Sequence, residues 1–205
     1  TAFAARRRPA TRGGYPTLPM RGFRPLTALA QKSVGAVLES GALAIDATVG
    51  NGHDTLFLAA RVAPRGRVAG FDIQPQALDA TRARLGHAGL ADRVTLYPCG
   101  HQFMSDRIPR DWHAQVSAVM FNLGYLPGGD KRLITRTVTT LAALRQALAV
   151  LRPGGLLSLM VYHGHPGADD EARAVADWVS GLEARYLVSR HASPGPLLYL
   201  ITPQH

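Results

Sequence analysis

From Leu26 onward, short apolar runs of strand length alternate with longer segments whose apolar residues return every three or four positions. That alternation constrains the chain more than any other feature. A strand, a helix and a second strand in succession build a mostly parallel sheet, whose two faces the helices must cover. Strands are expected at 43–46, 67–72, 94–97, 116–121, 156–162, 186–189 and 197–201. Helical patterns fall over 26–38, 54–62, 75–88, 134–151 and 170–184. The clearest of them carries Ile134, Val138, Leu141, Leu144, Leu148 and Leu151 in register. The expectation is an α/β fold: a doubly wound, seven-stranded, mostly parallel sheet in a single domain spanning residues 26–205.

In such sheets ligands settle beyond the carboxyl ends of the strands, where the strand order switches direction. The first strand runs into Asp46-Ala47-Thr48-Val49-Gly50-Asn51-Gly52-His53-Asp54-Thr55. Gly50 and Gly52 permit a tight turn and close approach of a ligand to the backbone. The helix that starts here aims free N–H groups into the turn, which favours a carboxylate. Asp72 follows Gly52 by twenty residues, at the end of the second strand, where it can accept hydrogen bonds from ribose hydroxyls. Gly50-x-Gly52-x-x-Thr55 lacks the last glycine of a dinucleotide fingerprint. It stands nearer to the acid-x-Gly-x-Gly-x-Gly turn of methyltransferases, with Asp46 as the acid and Thr48 at the first glycine. Capping of a strand or helix end competes as the role of either acid alone, whereas their joint spacing favours a cofactor site. Asn51, His53, Asp54 and Gln74 complete the candidate cofactor set at this turn. His101 and Gln102 follow the third strand, where methyltransferases contact the adenine.

The turn Asp46–Thr55 combines with two further motifs, Phe121-Asn122-Leu123-Gly124-Tyr125-Leu126-Pro127-Gly128-Gly129-Asp130-Lys131 and Val161-Tyr162-His163-Gly164-His165-Pro166. Together they resemble the YtqB/MnmM methyltransferases, a family formerly labelled rRNA methylases, over roughly residues 26–203. The resemblance implies a Rossmann-like class I methyltransferase that uses S-adenosylmethionine, with tRNA (its anticodon stem-loop) as partner. It also implies methylation of 5-aminomethyl-2-thiouridine at the wobble position to 5-methylaminomethyl-2-thiouridine. The first 25 residues depart from the family as an additional arm.

Methyl transfer from a sulfonium is an in-line displacement, so alignment of the acceptor is the main task. An alkylamine is largely protonated near neutral pH, and the site must favour its neutral form. Asn122 occupies the place where many amino-methylating enzymes carry Asp/Asn-Pro-Pro-Tyr. By that analogy Asn122, which also borders the cofactor, accepts hydrogen bonds from the amine, while Tyr125 packs against the uracil or the methyl. A purely loop-shaping Asn122 is the alternative. Leu123, Gly124, Gly128, Gly129 and Lys131 are candidate contacts to the RNA, although Lys131 reads equally well as solvated charge. His163 and His165 each suit a proton acceptor, or simply hold the turn. No metal is required, although His101, His163 and His165 leave a three-His site open by spacing.

Composition narrows the alternatives. No run of 18 apolar residues is present, so no helix in the chain is long and apolar enough to cross a membrane. Cys99 is the single cysteine and leaves no intrachain disulfide. The net charge of +9 is uneven: residues 1–38 hold seven basic residues and no acid, leaving +2 for the remainder. Such a segment neutralises phosphates in a salt-dependent way, or is the remnant of a targeting peptide. The expected location is accordingly the cytoplasm in the first case and a plastid or mitochondrion in the second. A homodimer is compatible with the sequence. An rRNA or small-amine methyltransferase, a dinucleotide-dependent oxidoreductase and a non-catalytic RNA-binding protein are the competing functions. Affinity for S-adenosylmethionine and turnover separate them.

Overall fold

The computed structural model of the chain describes residues 25–124, 136–163, 168–182 and 184–204. Seven strands form one sheet in the order β3-β2-β1-β4-β5-β7-β6. They are β1 (Leu43–Asp46), β2 (Arg67–Phe71), β3 (Val94–Tyr97), β4 (Val116–Leu123), β5 (Leu151–Val161), β6 (Tyr186–Ala192) and β7 (Leu197–Pro203). The pairs β1–β2, β2–β3, β1–β4 and β4–β5 are parallel, and β7 runs antiparallel to both its neighbours. The helices are α1 (Leu26–Val37), α2 (His53–Val62), α3 (Pro75–His87), the short α4 (Met104–Arg107), α5 (Thr137–Val150) and α6 (Ala168–Ser180).

The chain leaves β1 outward to β2 and β3, then returns to place β4 on the other side of β1. The switch point therefore lies between β1 and β4, and the turn after β1 opens onto it. Alternation along β4 sorts the core into two layers, since successive side chains point to opposite faces. Ala118 and Met120 pack with Leu26, Ala30 and Val34 of α1 and Leu58, Ala59 and Val62 of α2. Val119, Phe121 and Leu123 pack with Ala143, Leu144 and Ala147 of α5 and Val175 of α6. Burial on both faces explains why Ala118–Phe121 in the middle of β4 is apolar without interruption.

Several element limits differ from the sequence expectation. Asn122 and Leu123 belong to β4 instead of following it, because β5 continues alongside and pairs Asn122 with Met160 and Leu123 with Val161. The strand β5 starts at Leu151, which pairs with Val116 ahead of an irregularity in register. Gly154 adopts a left-handed φ of 70° there. α6 spans Ala168–Ser180 in place of 170–184, with its polar first turn (Asp169, Asp170, Glu171) included in the helix.

Candidate active site

The turn after β1 is built by its acids and hydroxyls. Asp46 is 1% exposed. Its Oδ1 accepts a hydrogen bond from the Thr48 N–H at 3.1 Å, and its Oδ2 accepts one from the Thr55 hydroxyl at 2.6 Å. Burial, reinforced by the charge of Asp54, pushes the Asp46 carboxyl up to about 7 despite both hydrogen bonds. Asp46 thus closes the loop from within and presents little surface to a ligand.

Asp72, just beyond β2, clamps the outer side of the turn. Its Oδ2 accepts from the Gly50 N–H and its Oδ1 from the Gln74 N–H, both at 2.9 Å. Each carboxylate oxygen has more than one lone pair, so capacity remains on this half-buried group for further donors. Gln74 is buried at the start of α3. From α3, Thr81 donates to the Gly50 carbonyl at 3.2 Å and the Arg84 Nε–H donates to the Asn51 carbonyl at 2.9 Å. Gly52 takes φ 76°, and a Cβ there would stand 2.5 Å from Thr81 Oγ1. Only glycine satisfies that backbone and that approach.

Thr48 joins the turn to β4, its hydroxyl oxygen accepting the Asn122 N–H at 2.6 Å. The Asn122 side chain donates through Nδ2 to Asp54 Oδ2 at 2.6 Å, and Asp54 Oδ1 accepts from Gln31 Nε2 of α1 at 2.9 Å. Asn122 Oδ1 is buried and has no hydrogen-bond partner among the described residues. A buried acceptor left unpaired is destabilising by about 1–3 kcal/mol. Such an orphan at a switch point is an acceptor that a donor from a ligand could satisfy. Tyr162, directly after β5, has its phenol pushed upward by burial and then by the charge of Asp54.

The remaining candidates separate. His101 is buried, and its ring lies against Phe121 with centroids 5.5 Å apart. Its Nδ1 stands 3.2 Å from the Ala47 carbonyl, an acceptor, so that nitrogen carries the proton. Burial pulls its pKa down to about 4, keeping the ring neutral. Gln102 folds its side chain over Gly100. His53 is exposed at the start of α2, and Asn51 and Gly124 are half-buried. His163 is solvent-facing, its Nδ1 3.7 Å from Asp169 Oδ1 of α6. Leu123 needs correction as an RNA contact: its side chain is 1% exposed within the α5–α6 layer, leaving only its backbone to a ligand. Tyr125, Gly128, Gly129, Lys131 and His165 lie outside the described residues. Among the described residues, no group of three or more His, Cys, Asp or Glu side chains is placed to hold a metal ion.

Sequence reasoning missed Gln31 and Ile73, and placed Thr48 and Tyr162 in motifs without giving either a contact. Ile73 is 56% exposed directly after Asp72, an apolar side chain left open at the end of β2. Tyr162 lies inside the motif Val161–Pro166, but Gln31 carries no sequence signal beyond being polar beside Ala30.

The family described as Putative rRNA methylase matches residues 68–193. The chain is 44% identical over 154 residues to the chloroplastic tRNA (mnm(5)s(2)U34)-methyltransferase of Arabidopsis thaliana, covering 71% of this chain but 56% of that protein. It thus spans little more than half the length of that relative. Among solved structures, the putative rRNA-methylase from Clostridium thermocellum superposes with a TM-score of 0.83 at 37% identity, covering 89% of this chain and 99% of that one. A putative methyltransferase from Streptococcus mutans in complex with SAH gives 0.79 at 34% identity, with the same coverage. With these matches added to a Rossmann-like sheet and a glycine turn at its switch point, the chain belongs to the putative rRNA methylase family of S-adenosylmethionine-dependent methyltransferases.

Proposed function

We propose that the chain transfers a methyl group from S-adenosylmethionine to the aminomethyl nitrogen of 5-aminomethyl-2-thiouridine at the tRNA wobble position. The product is 5-methylaminomethyl-2-thiouridine. The observation that carries this reading is the Asn122 amide, its nitrogen tied to Asp54 and its buried oxygen without a partner, at the switch point beside the glycine turn. The similarity to a relative named for this tRNA position supports the acceptor. The similarity to a structure holding SAH, which is S-adenosylmethionine after loss of its methyl, supports the donor.

The residues present fit that donor. When bound, S-adenosylmethionine supplies an electrophilic methyl on a sulfonium. The Gly50–Gly52 turn and the first N–H groups of α2 receive its carboxylate end. Asp72, with acceptor capacity to spare, takes the ribose hydroxyls, and exposed Ile73 offers an apolar surface to the base. Asn122 Oδ1 then accepts an N–H from the neutral amine, which turns the nitrogen lone pair away from the amide and toward the methyl. The oxygen is shielded from solvent, so entry of the amine displaces whatever covers it. A nearby base takes the proton released on methylation, with His163 and His165 as the candidates.

Nucleoside mass spectrometry tests the reading. tRNA bearing the unmethylated aminomethyl-thiouridine is incubated with the protein and S-adenosylmethionine. The expected outcome is a gain of one methyl on that nucleoside. Firm binding of S-adenosylmethionine with no gain would overturn the acceptor and direct attention to rRNA and small amines.

A further inference from the structure

The polar group around Asn122 spans three elements that the chain brings together only on folding. Asn122 continues the Ala118–Met120 face of β4, the face that α1 and α2 cover. On that side Asp54 reaches it from the first turn of α2, and Gln31 reaches Asp54 from α1. A carboxylate accepts hydrogen bonds and donates none, so an amide facing Asp54 must present its nitrogen. The Asn122 oxygen is thereby forced to the opposite side, where it is buried without a partner. A free amide would rotate about its last bond and could equally offer its NH₂ group, which would hydrogen-bond the lone pair of the incoming amine and block its attack. Gln31 removes the corresponding freedom from Asp54 by holding the second carboxylate oxygen. Tyr162 stands in the field of the same carboxylate.

We propose that Gln31, Asp54 and Asn122 form a positioning relay, in which Asp54, anchored from α1 by Gln31, locks the Asn122 amide with its oxygen toward the acceptor amine. Asp54 and Gln31 are positioning residues and act through Asn122. The proposal rests on the reading of Asn122 as the group that receives the amine. It adds that helix α1, which precedes the whole nucleotide-binding half of the sheet, sets the aim of that group.

The test combines a double-mutant cycle with a measurement that needs no substrate. Asp54→Asn, which can donate to Asn122 and so permits the flipped amide, is expected to lower kcat about 10²-fold. Affinity for S-adenosylmethionine should fall by a far smaller factor than kcat, since the hydrogen bonds that hold the glycine turn do not run through Asp54. Gln31→Ala should lower kcat by a smaller factor, and Asp54→Glu should recover part of the loss. In the Asn122→Ala background, Asp54→Asn should add almost nothing, because residues acting through one another are not additive. Additive losses, or an equal fall in cofactor affinity, would overturn the relay. Independently, the Asn122 side-chain NH₂ in the ligand-free 205-residue chain should give a proton NMR resonance protected from exchange. That protection should disappear in Asp54→Asn and weaken in Gln31→Ala, with melting temperatures confirming folded chains. Unchanged protection in both variants would also overturn it. If the unaltered chain fails to methylate the nucleoside yet the NMR result holds, the proposed acceptor fails while the locked amide stands.

Discussion

Two buried ionisable side chains border the glycine turn, and their protons move in opposite senses on folding. Asp46 is pushed up to about 7 by burial and His101 down to about 4 by the same cause. Asp46 keeps its proton in the folded chain between about pH 4 and 7, where the unfolded chain loses it, so its contribution to stability falls as pH rises through that window. His101 binds a proton in the unfolded chain below about 6.5 and stays neutral in the folded one. Its contribution is present above that pH and is lost as pH falls toward 4. The two slopes oppose each other between pH 4 and 6.5. His101→Asn should therefore gain stability relative to the unaltered chain as the pH is lowered from 6.5 to 4, by up to about 1.4 kcal/mol per unit. Urea midpoints measured across that range check it, and a pH-independent difference would contradict a neutral buried imidazole. At the same scale, Asp72→Ala should weaken S-adenosylmethionine binding by about tenfold or more, through loss of charge-assisted hydrogen bonds and of the clamp on Gly50. Calorimetric titration reads this directly, and unchanged affinity would remove the ribose assignment.

The glycine turn is the element on which the site depends, and it is held from three directions. Asp46 and Thr55 tie it from below, Asp72 from β2, and Thr81 and Arg84 from α3. Gly52 makes this packing possible, since any Cβ would sit against the Thr81 hydroxyl while the backbone holds a left-handed φ. Gly52→Ala should destabilise the chain by about 1–3 kcal/mol for the backbone conformation alone, and lower cofactor affinity as the turn shifts. Thermal melts with and without S-adenosylmethionine separate the two effects: a loss of stability with full ligand-induced stabilisation would show that the turn relaxes without harm. The register of β4 against β5 matters equally. By extending β4 to Leu123, it places Asn122 inside a strand whose backbone is fixed, with its N–H held by Thr48.

Across the whole molecule, charge and chemistry occupy different parts of the chain. The acids of the site lie on β1, just beyond β2 and on α2, while residues 1–38 carry seven basic residues and no acid. Removing residues 1–22 should leave the fold intact and lower tRNA affinity mainly at low salt, because phosphate contacts release counterions. Filter binding across a salt series tests this; equal affinity at every concentration would assign the arm another purpose. The layered architecture was open to reading in the sequence because its signals are local. Apolar period, the glycine turn and the spacing of Asp46, Gly50 and Gly52 depend on neighbours a few residues apart, Asp72 follows at the end of the next strand, and all seven expected strands are present. Strand limits were less accessible, since pairing with β5 decides where β4 ends. The sequence by itself determined the alternation that builds the sheet and the glycine turn after its first strand. Tertiary structure alone decided that Asp46 is sealed in, that Leu123 faces the core, and that Gln31 reaches Asp54 across 23 positions while Asp54 reaches Asn122 across 68. Local pattern cannot specify which distant donor meets which acceptor, because that meeting is set by how the helices pack on the sheet.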